Sequence, residues 1–463
     1  MSENALVAPE IVRRASTDEW RGMAAIAAPV VIVQVGLMLM GVVDTLMVGR
    51  VNATALAAVA LGNLYFFNAI VIPMGALMVL DPLVSQAVGA RDDIAVTRAI
   101  QRGLFLALVF GFLATLVMLP VAPALSLFRQ PAEVIPDART YVHVGAWSMV
   151  PFLGFVVLRQ SLQALHRLAP IVITIIAANL LNVALNYVLI FGRFGFPRLE
   201  VKGAAIATVI GRWFMLVALL VVGWRELRPH LARLDSYALA WPPLRRMLAL
   251  GLPIGFQHFL EYSAFAAVGL MMGTFGAAQV ASHQIALNLA ALTFMVPLGV
   301  SAAAAVRVGN AVGASDAPRS RLAARIAYLL GGGFMTTTAA LFLLLPRQLA
   351  GLYTGDLAVI GITAALIPIA GLFQVFDGMQ AVGAGVLRGL GDTRVPLIAM
   401  LSGYWLIGVP ISVVLGFKTS LGPQGLWWGF VAGLASVALF LLLRVRALFK
   451  RGVARVRVDS PPP

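Results

Sequence analysis

Three carboxylates stand where carboxylates are costly. Between Gly22 and Gly49 the only charged residue is Asp44, and Glu261 and Asp377 likewise interrupt long apolar stretches. A charge at the centre of a hydrocarbon-spanning helix costs about 2.5–3.5 kcal/mol, so it is kept for function or because it is paired. Glu261 follows Arg246 by 15 residues and Asp377 precedes Arg388 by 11. Along a helix these separations are roughly 22 Å and 16 Å, well inside a core about 30 Å thick. The one Lys or Arg near the middle of an apolar span, and not toward its end, is Arg212. Acidic groups without basic partners can bind cations or exchange protons. A fourth acid, Asp81, precedes Pro82, where it could cap a helix or lie near the membrane surface.

Polar neighbours share the faces of these acids. Gln257 and His258 lie one turn before Glu261, and Phe373 lies one turn before Asp377. Asn182 and Asn186 are one turn apart, as are Gln284 and Asn288. Any such pair taken alone is ordinary interhelical glue. The run "HFLE" holds half of a zinc-ligand pattern, but no second His or Cys pair accompanies it. No phosphate loop or nucleophile elbow is present, so an existing ion gradient must supply the energy, with no cofactor expected.

Composition decides what carries these groups. Of 463 residues, 60% are hydrophobic and 11% charged, and the mean hydropathy is +0.93. Soluble domains carry about 25% charged residues, so the chain is read as an all-α polytopic membrane protein. Apolar spans fall near 21–49, 54–80, 99–123, 141–164, 169–191, 203–223, 247–273, 278–305, 323–345, 361–387, 395–416 and 424–443. Twelve spans return the chain to its starting side. On the opposite side lie only Arg50, Arg129, Arg139, Arg193, Arg198, Lys202, Arg347 and Lys418. The remaining basic residues, Arg212 excepted, fall on the side of the termini. Positive residues stay inside, so both termini are expected in the cytoplasm. The net charge of +15 is then an orientation signal, and no nucleic-acid partner is expected. The basic tail "RVRALFKRGVARVRV" is suited to anionic lipid headgroups.

A shift of 224 residues lays the first spans on the seventh and eighth. Pro29, Gly49, Pro73 and Gly75 fall on Pro253, Gly273, Pro297 and Gly299, and "QAVGARD" (86–92) falls on "NAVGASD" (310–316). Pro170 meets Pro396, and Gly203 meets Gly425. Six is an even number, so the two halves share one orientation, a parallel repeat typical of secondary transporters. The expected segments are an N-terminal stretch 1–20, a first lobe 21–223, a linker 224–246, a second lobe 247–445 and a tail 446–463. Asp44, Glu261 and Asp377 fall on Val268, Leu37 and Pro151 in the opposite half, so the shared scaffold does not require them. The steps Gly251–Gly255, Gly385–Gly389 and Gly429–Gly433 are expected to be packing surfaces.

The motifs "VVDT", "SAAAAVRVGNAVGA" and "FDGMQAVGAGVLRGLGDTRVP", set in two sets of six spans, resemble the multidrug and toxic compound extrusion (MATE) family, in its bacterial NorM-like branch. The resemblance implies two six-helix lobes and a monomer in the bacterial inner membrane. It implies export of amphipathic organic cations, drugs or dyes, in exchange for Na⁺ or H⁺. By position it makes Glu261 and Asp377 the coupling-ion pair, with Na⁺ a candidate ligand and Phe373 a cation–π face beside them. It makes Asp44, Asn182 and Asn186 a proton or substrate site in the first lobe. Gln284 and Asp356 fall where relatives contact drug, and Gln257 and His258 line the same cavity. Asp81 departs from the usual bacterial pattern. A lipid-linked oligosaccharide flippase of the same superfamily is the rival reading, and it should show a buried cationic cavity. A membrane-embedded enzyme would need a catalytic His or metal cluster, whereas the five histidines are scattered.

Overall fold

The computed structural model describes the backbone of residues 4–459 and the side chains of residues 16–459. The expected terminal segments 1–20 and 446–463 fall partly outside these limits. Among the described residues every regular element is helical. The main helices are α1 (Asn4–Gly49), α2 (Ala53–Leu77), α3 (Asp93–Met118), α4 (Ile135–Ala164), α5 (Ala169–Phe191), α6 (Glu200–Val222), α7 (Trp241–Gly273), α8 (Ala277–Gly313), α9 (Ala317–Leu344), α10 (Leu357–Gly389), α11 (Arg394–Phe417) and α12 (Pro423–Arg451). Eleven of them are long and apolar enough to cross a membrane. α7 is long enough, but Gln257, His258 and Glu261 dilute its apolar character.

The chain packs as two compact units. One comprises Met1–Val31, Asp81–Arg91 and Phe256–Arg457, and the other Ile32–Leu80, Asp92–Gly255 and Val458–Pro463. The first parts of α1 and α7, equivalent under the repeat, are thus exchanged between the two sets. Both helices carry a proline just there, Pro29 and Pro253, which removes one backbone hydrogen bond and lets a helix bend.

Repeated sequence gives repeated geometry. Arg91 and Ser315 adopt left-handed φ values of 56° and 59°. Each precedes an aspartate that caps the next helix: Asp92 Oδ1 accepts from Ala95 N and Asp316 Oδ1 from Arg319 N, both at 3.0 Å. Such caps satisfy backbone donors that a helix start leaves open.

The glycine steps are close-packing surfaces. A Cβ at Gly385 would lie 2.3 Å from Ser301 O, which is how α10 seats on α8. One at Gly429 would lie 2.4 Å from Ser412 N, on the α12–α11 contact. Gly251 and Gly255 bring α7 against the carbonyls of Ala76 and Ile72 on α2. Without a hydrophobic drive between helices in lipid, such approaches supply the dispersion contacts that hold the bundle.

Candidate functional site

Two separate polar sites exist, one in each unit. In the first, α1 presents Asp44, only 6% exposed. α5 carries Asn182 and Asn186 on one face, and both amides donate to Asp44 Oδ1, Asn182 at 3.0 Å. Thr208 Oγ1 of α6 lies 3.4 Å from Oδ2. The grouping follows from helical spacing, since Asn182 and Asn186 stack one turn apart. Their carbonyl oxygens, Asn182 Oδ1 and Asn186 Oδ1, are buried without a hydrogen-bond partner. Arg212, one turn after Thr208, lies within electrostatic reach of Asp44. Its guanidinium stacks on Phe66 at 3.7 Å and Phe152 at 4.7 Å and donates to Ser148 Oγ at 3.1 Å. The arginine nearest the middle of a span therefore belongs to the Asp44 environment.

The second site joins α7, α10 and α11. Glu261 Oε1 accepts from Gln380 Nε2 at 2.9 Å, and the Tyr404 hydroxyl lies 3.3 Å away. That hydroxyl donates to Gln380 Oε1 at 2.7 Å. Oε2 lies 3.7 Å from His258 Nδ1. Asp377, one turn before Gln380, is close enough to repel Glu261. Asp377 is 6% exposed and its Oδ1 has no hydrogen-bond partner. Among the described residues no Lys or Arg forms an ion pair with either acid. A wall of rings flanks the pair: Phe373 meets Phe265 at 5.9 Å and Trp427 at 5.6 Å, both edge-on, and Phe430 closes the group.

Local sequence explains how Tyr404 arrives. Residues Leu401–Gly408 of α11 form a π-helical turn, with Val409 N bonded to Tyr404 O. Pro410 cannot donate the next α-helical bond, and the widened turn absorbs the defect.

The remaining candidates lie elsewhere. Gln257 is buried on α7, and its neighbour His258 is partly exposed. Gln284 is exposed, and its amide donates to Asn288 Oδ1 at 3.3 Å. Asp356 is exposed, and its carboxylate caps α10 by accepting from Ala358 N and Val359 N. Asp81 is buried, with Oδ2 3.3 Å from Arg388 Nε. Arg388, counted above among the surface charges, is only 5% exposed, so its role is internal pairing.

Sequence reasoning missed Gln380, Tyr404, Phe265 and Thr208. Gln380 and Phe265 each sit one turn beyond an acid already identified, so helical spacing could have found them. Tyr404 and Thr208 come from other helices, and no local pattern points to them.

The carboxylate, amide and hydroxyl oxygens at both sites suit a proton or a small hard cation. A MatE family model matches residues 29–188 and again 253–414, the two halves of the repeat. The chain is 37% identical to a probable multidrug resistance protein NorM of Rhizobium meliloti (strain 1021), over 96% of this chain and 97% of that one. It is 34% identical to the multidrug resistance protein MdtK of Edwardsiella ictaluri (strain 93-146), over 93% and 96%. In fold it is similar to the crystal structure of a eukaryotic MATE transporter, with a TM-score of 0.86 at 22% identity, covering 94% and 98% of the two chains. A match across both halves, together with relatives above a third identity over nearly the whole length, means that this chain belongs to the MatE family.

Proposed function

We propose that this protein is a multidrug efflux antiporter of the bacterial inner membrane, with both termini cytoplasmic. It exports amphipathic organic cations in exchange for Na⁺ or H⁺. It is a transporter and not an enzyme, and it works as a monomer. One observation carries the reading: Asp377 Oδ1 is buried beside a second carboxylate and has no hydrogen-bond partner. A buried carboxylate in that state requires a proton or a metal ion.

In this reading the coupling cation binds between Asp377 Oδ1 and Glu261 Oε2. Gln380 and Tyr404 hold Glu261 in place, and the Phe373 ring system keeps water out. Asp44, Asn182 and Asn186 handle the proton or the substrate charge in the other unit. His258, Gln257, Gln284 and Asp356 offer polar contacts along the path. The drive depends on stoichiometry. One monovalent ion exchanged for a monovalent drug is electroneutral, and a tenfold ion gradient then supplies about 1.4 kcal/mol. A second entering charge adds about 2.3 kcal/mol per 100 mV. Two carboxylates in one site make room for that second charge.

The flippase reading calls for a buried cationic cavity. Arg212, the arginine nearest the middle of a span, is instead stacked on two rings near Asp44. The test is ethidium efflux from proteoliposomes with Na⁺ and pH gradients imposed separately. Gradient-dependent efflux is expected under at least one of them, and none under either refutes the proposal.

A further inference from the structure

The cytoplasm-facing end of α3 carries a cluster that ion coupling does not use. Gln101 Nε2 donates to His230 O and Arg233 O, both at 2.8 Å, and Gln101 Oε1 accepts from Asp235 N at 3.0 Å. Arg98 Nε pairs with Asp235 Oδ2 at 2.6 Å, and its guanidinium covers the Tyr237 ring at 4.7 Å. Arg102 is 2% exposed and donates to Ala238 O at 2.8 Å. These bonds fix the linker segment on α3.

The same arginines hold the end of the tail. Asp459 Oδ1 pairs with Arg102 Nη2 at 2.5 Å, and Oδ2 lies 3.9 Å from Arg98 Nη1. Arg246 Nη1 donates to Val458 O at 2.9 Å, and Val458 is 7% exposed. Asp459 is the one carboxylate paired with Arg102 among the described residues. A buried guanidinium that loses its only anion is strongly destabilised, so this niche demands an anion in every state of the tail. Its geometry, two guanidinium groups converging on two oxygens, fits a phosphate as well as a carboxylate.

The surroundings place the niche at headgroup level. Trp224, Tyr237 and Trp241 are 44%, 42% and 64% exposed, and Leu234 and Leu239 are more than half exposed. Exposed tryptophan and tyrosine beside arginine mark a membrane–water interface.

We propose that Arg98, Arg102 and Arg246 form an anion site at the inner membrane surface, which Asp459 occupies and which the phosphate of an anionic phospholipid takes over. The tail is then an internal competitor of the lipid. It is docked where anionic lipid is scarce and released where it is abundant.

The chain has no cysteine, so one introduced thiol can carry a nitroxide. Ala454 is exposed and lies in the tail ahead of the docked residues. The labelled Ala454→Cys protein is compared in phosphatidylcholine vesicles with and without phosphatidylglycerol, and in phosphatidylcholine with added inorganic phosphate. Label mobility should rise with phosphatidylglycerol, and inorganic phosphate should leave it unchanged. Adding Asp459→Asn should give the mobile spectrum in phosphatidylcholine alone, with no further rise in phosphatidylglycerol. Circular dichroism of that variant checks that the helices are retained. A spectrum insensitive to phosphatidylglycerol overturns the proposal. An equal response to inorganic phosphate overturns the lipid as its source. An Asp459→Asn tail that stays immobile shows that the carboxylate is not what holds it, and also overturns the proposal.

Discussion

Gln380 on α10 and Glu261 on α7 are joined by a 2.9 Å hydrogen bond. Asp377 lies one turn before Gln380 on the same helix, with Oδ1 buried and unbonded. The two acids of the site are therefore unequal. Glu261 accepts from Gln380, which Tyr404 of a third helix holds in place, whereas Asp377 Oδ1 has no hydrogen-bond partner.

That inequality predicts how their neutral variants differ. Asp377→Asn and Glu261→Gln should each lower gradient-driven efflux at least about tenfold, a loss of about 1.4 kcal/mol of coupling. Asp377→Asn should leave the unfolding midpoint unchanged or raise it, because it removes a buried charge with no partner. Glu261→Gln should lower the midpoint, because it replaces the charged acceptor of Gln380 with a neutral, weaker one. Efflux from proteoliposomes and thermal unfolding of the same preparations check both. Wild-type efflux in either variant removes that acid from the coupling site.

Tyr404→Phe isolates the positioning of Glu261. The hydroxyl donates to Gln380 at 2.7 Å, and its loss leaves a buried acceptor unpaired. The cost should be about 1–3 kcal/mol. The expected signature is a several-fold higher ion concentration for half-maximal efflux, with the drug dependence little changed. An unchanged ion dependence would assign the tyrosine to packing alone.

Asp44→Asn separates the two sites. Dye efflux should be lost, while ion-dependent quenching of Trp427, packed 5.6 Å from Phe373 in the other unit, should persist. A Trp427→Phe control identifies that signal. Loss of both together would mean one coupled site in place of two.

Gly429→Val tests close packing. Its Cβ would lie 2.0 Å from Ser412 Oγ and 2.5 Å from Ser412 Cα. Overpacking of this kind costs about 1–3 kcal/mol, more where backbone cannot move. Yield of monodisperse protein should fall sharply, whereas Gly333→Ala, where nothing lies within 4 Å, should be tolerated.

His230 in the linker gives a pH signature outside the membrane. Burial pushes its pKa below the ordinary value near 6.5, with Asp93 opposing in part. Its Nδ1 lies 2.8 Å from Thr97 Oγ1. The unfolded chain then binds the proton more readily than the folded one. Stability should be full above about pH 6.5 and fall as pH drops from there through the depressed native value. Thermal unfolding of wild type and His230→Gln between about pH 5 and 8 checks this, and the variant should lose the slope.

The sequence alone determined that the chain lives in a membrane, that it is doubled, and that three acids are out of place. These properties are local or periodic. Hydropathy is summed along one helix, the repeat is read by shifting the chain on itself, and a lone carboxylate in apolar surroundings is conspicuous by type. Asn182 and Asn186 were legible as a pair for the same reason, as one-turn spacing puts both amides on one face, but only the family resemblance tied them to Asp44, which lies on another helix. Tertiary structure decided which helices meet. Tyr404 reaches Glu261 across 143 residues of sequence, and Asp81 finds Arg388 from a segment that looked like a surface loop. The aligned carboxylates of Asp92 and Asp316 cap helices, as Asp356 does, whereas Asp377 is left bare. Residue type cannot separate a capping aspartate from a cation ligand. The difference is whether backbone N–H groups lie within about 3 Å of the carboxylate, and only the folded backbone fixes that.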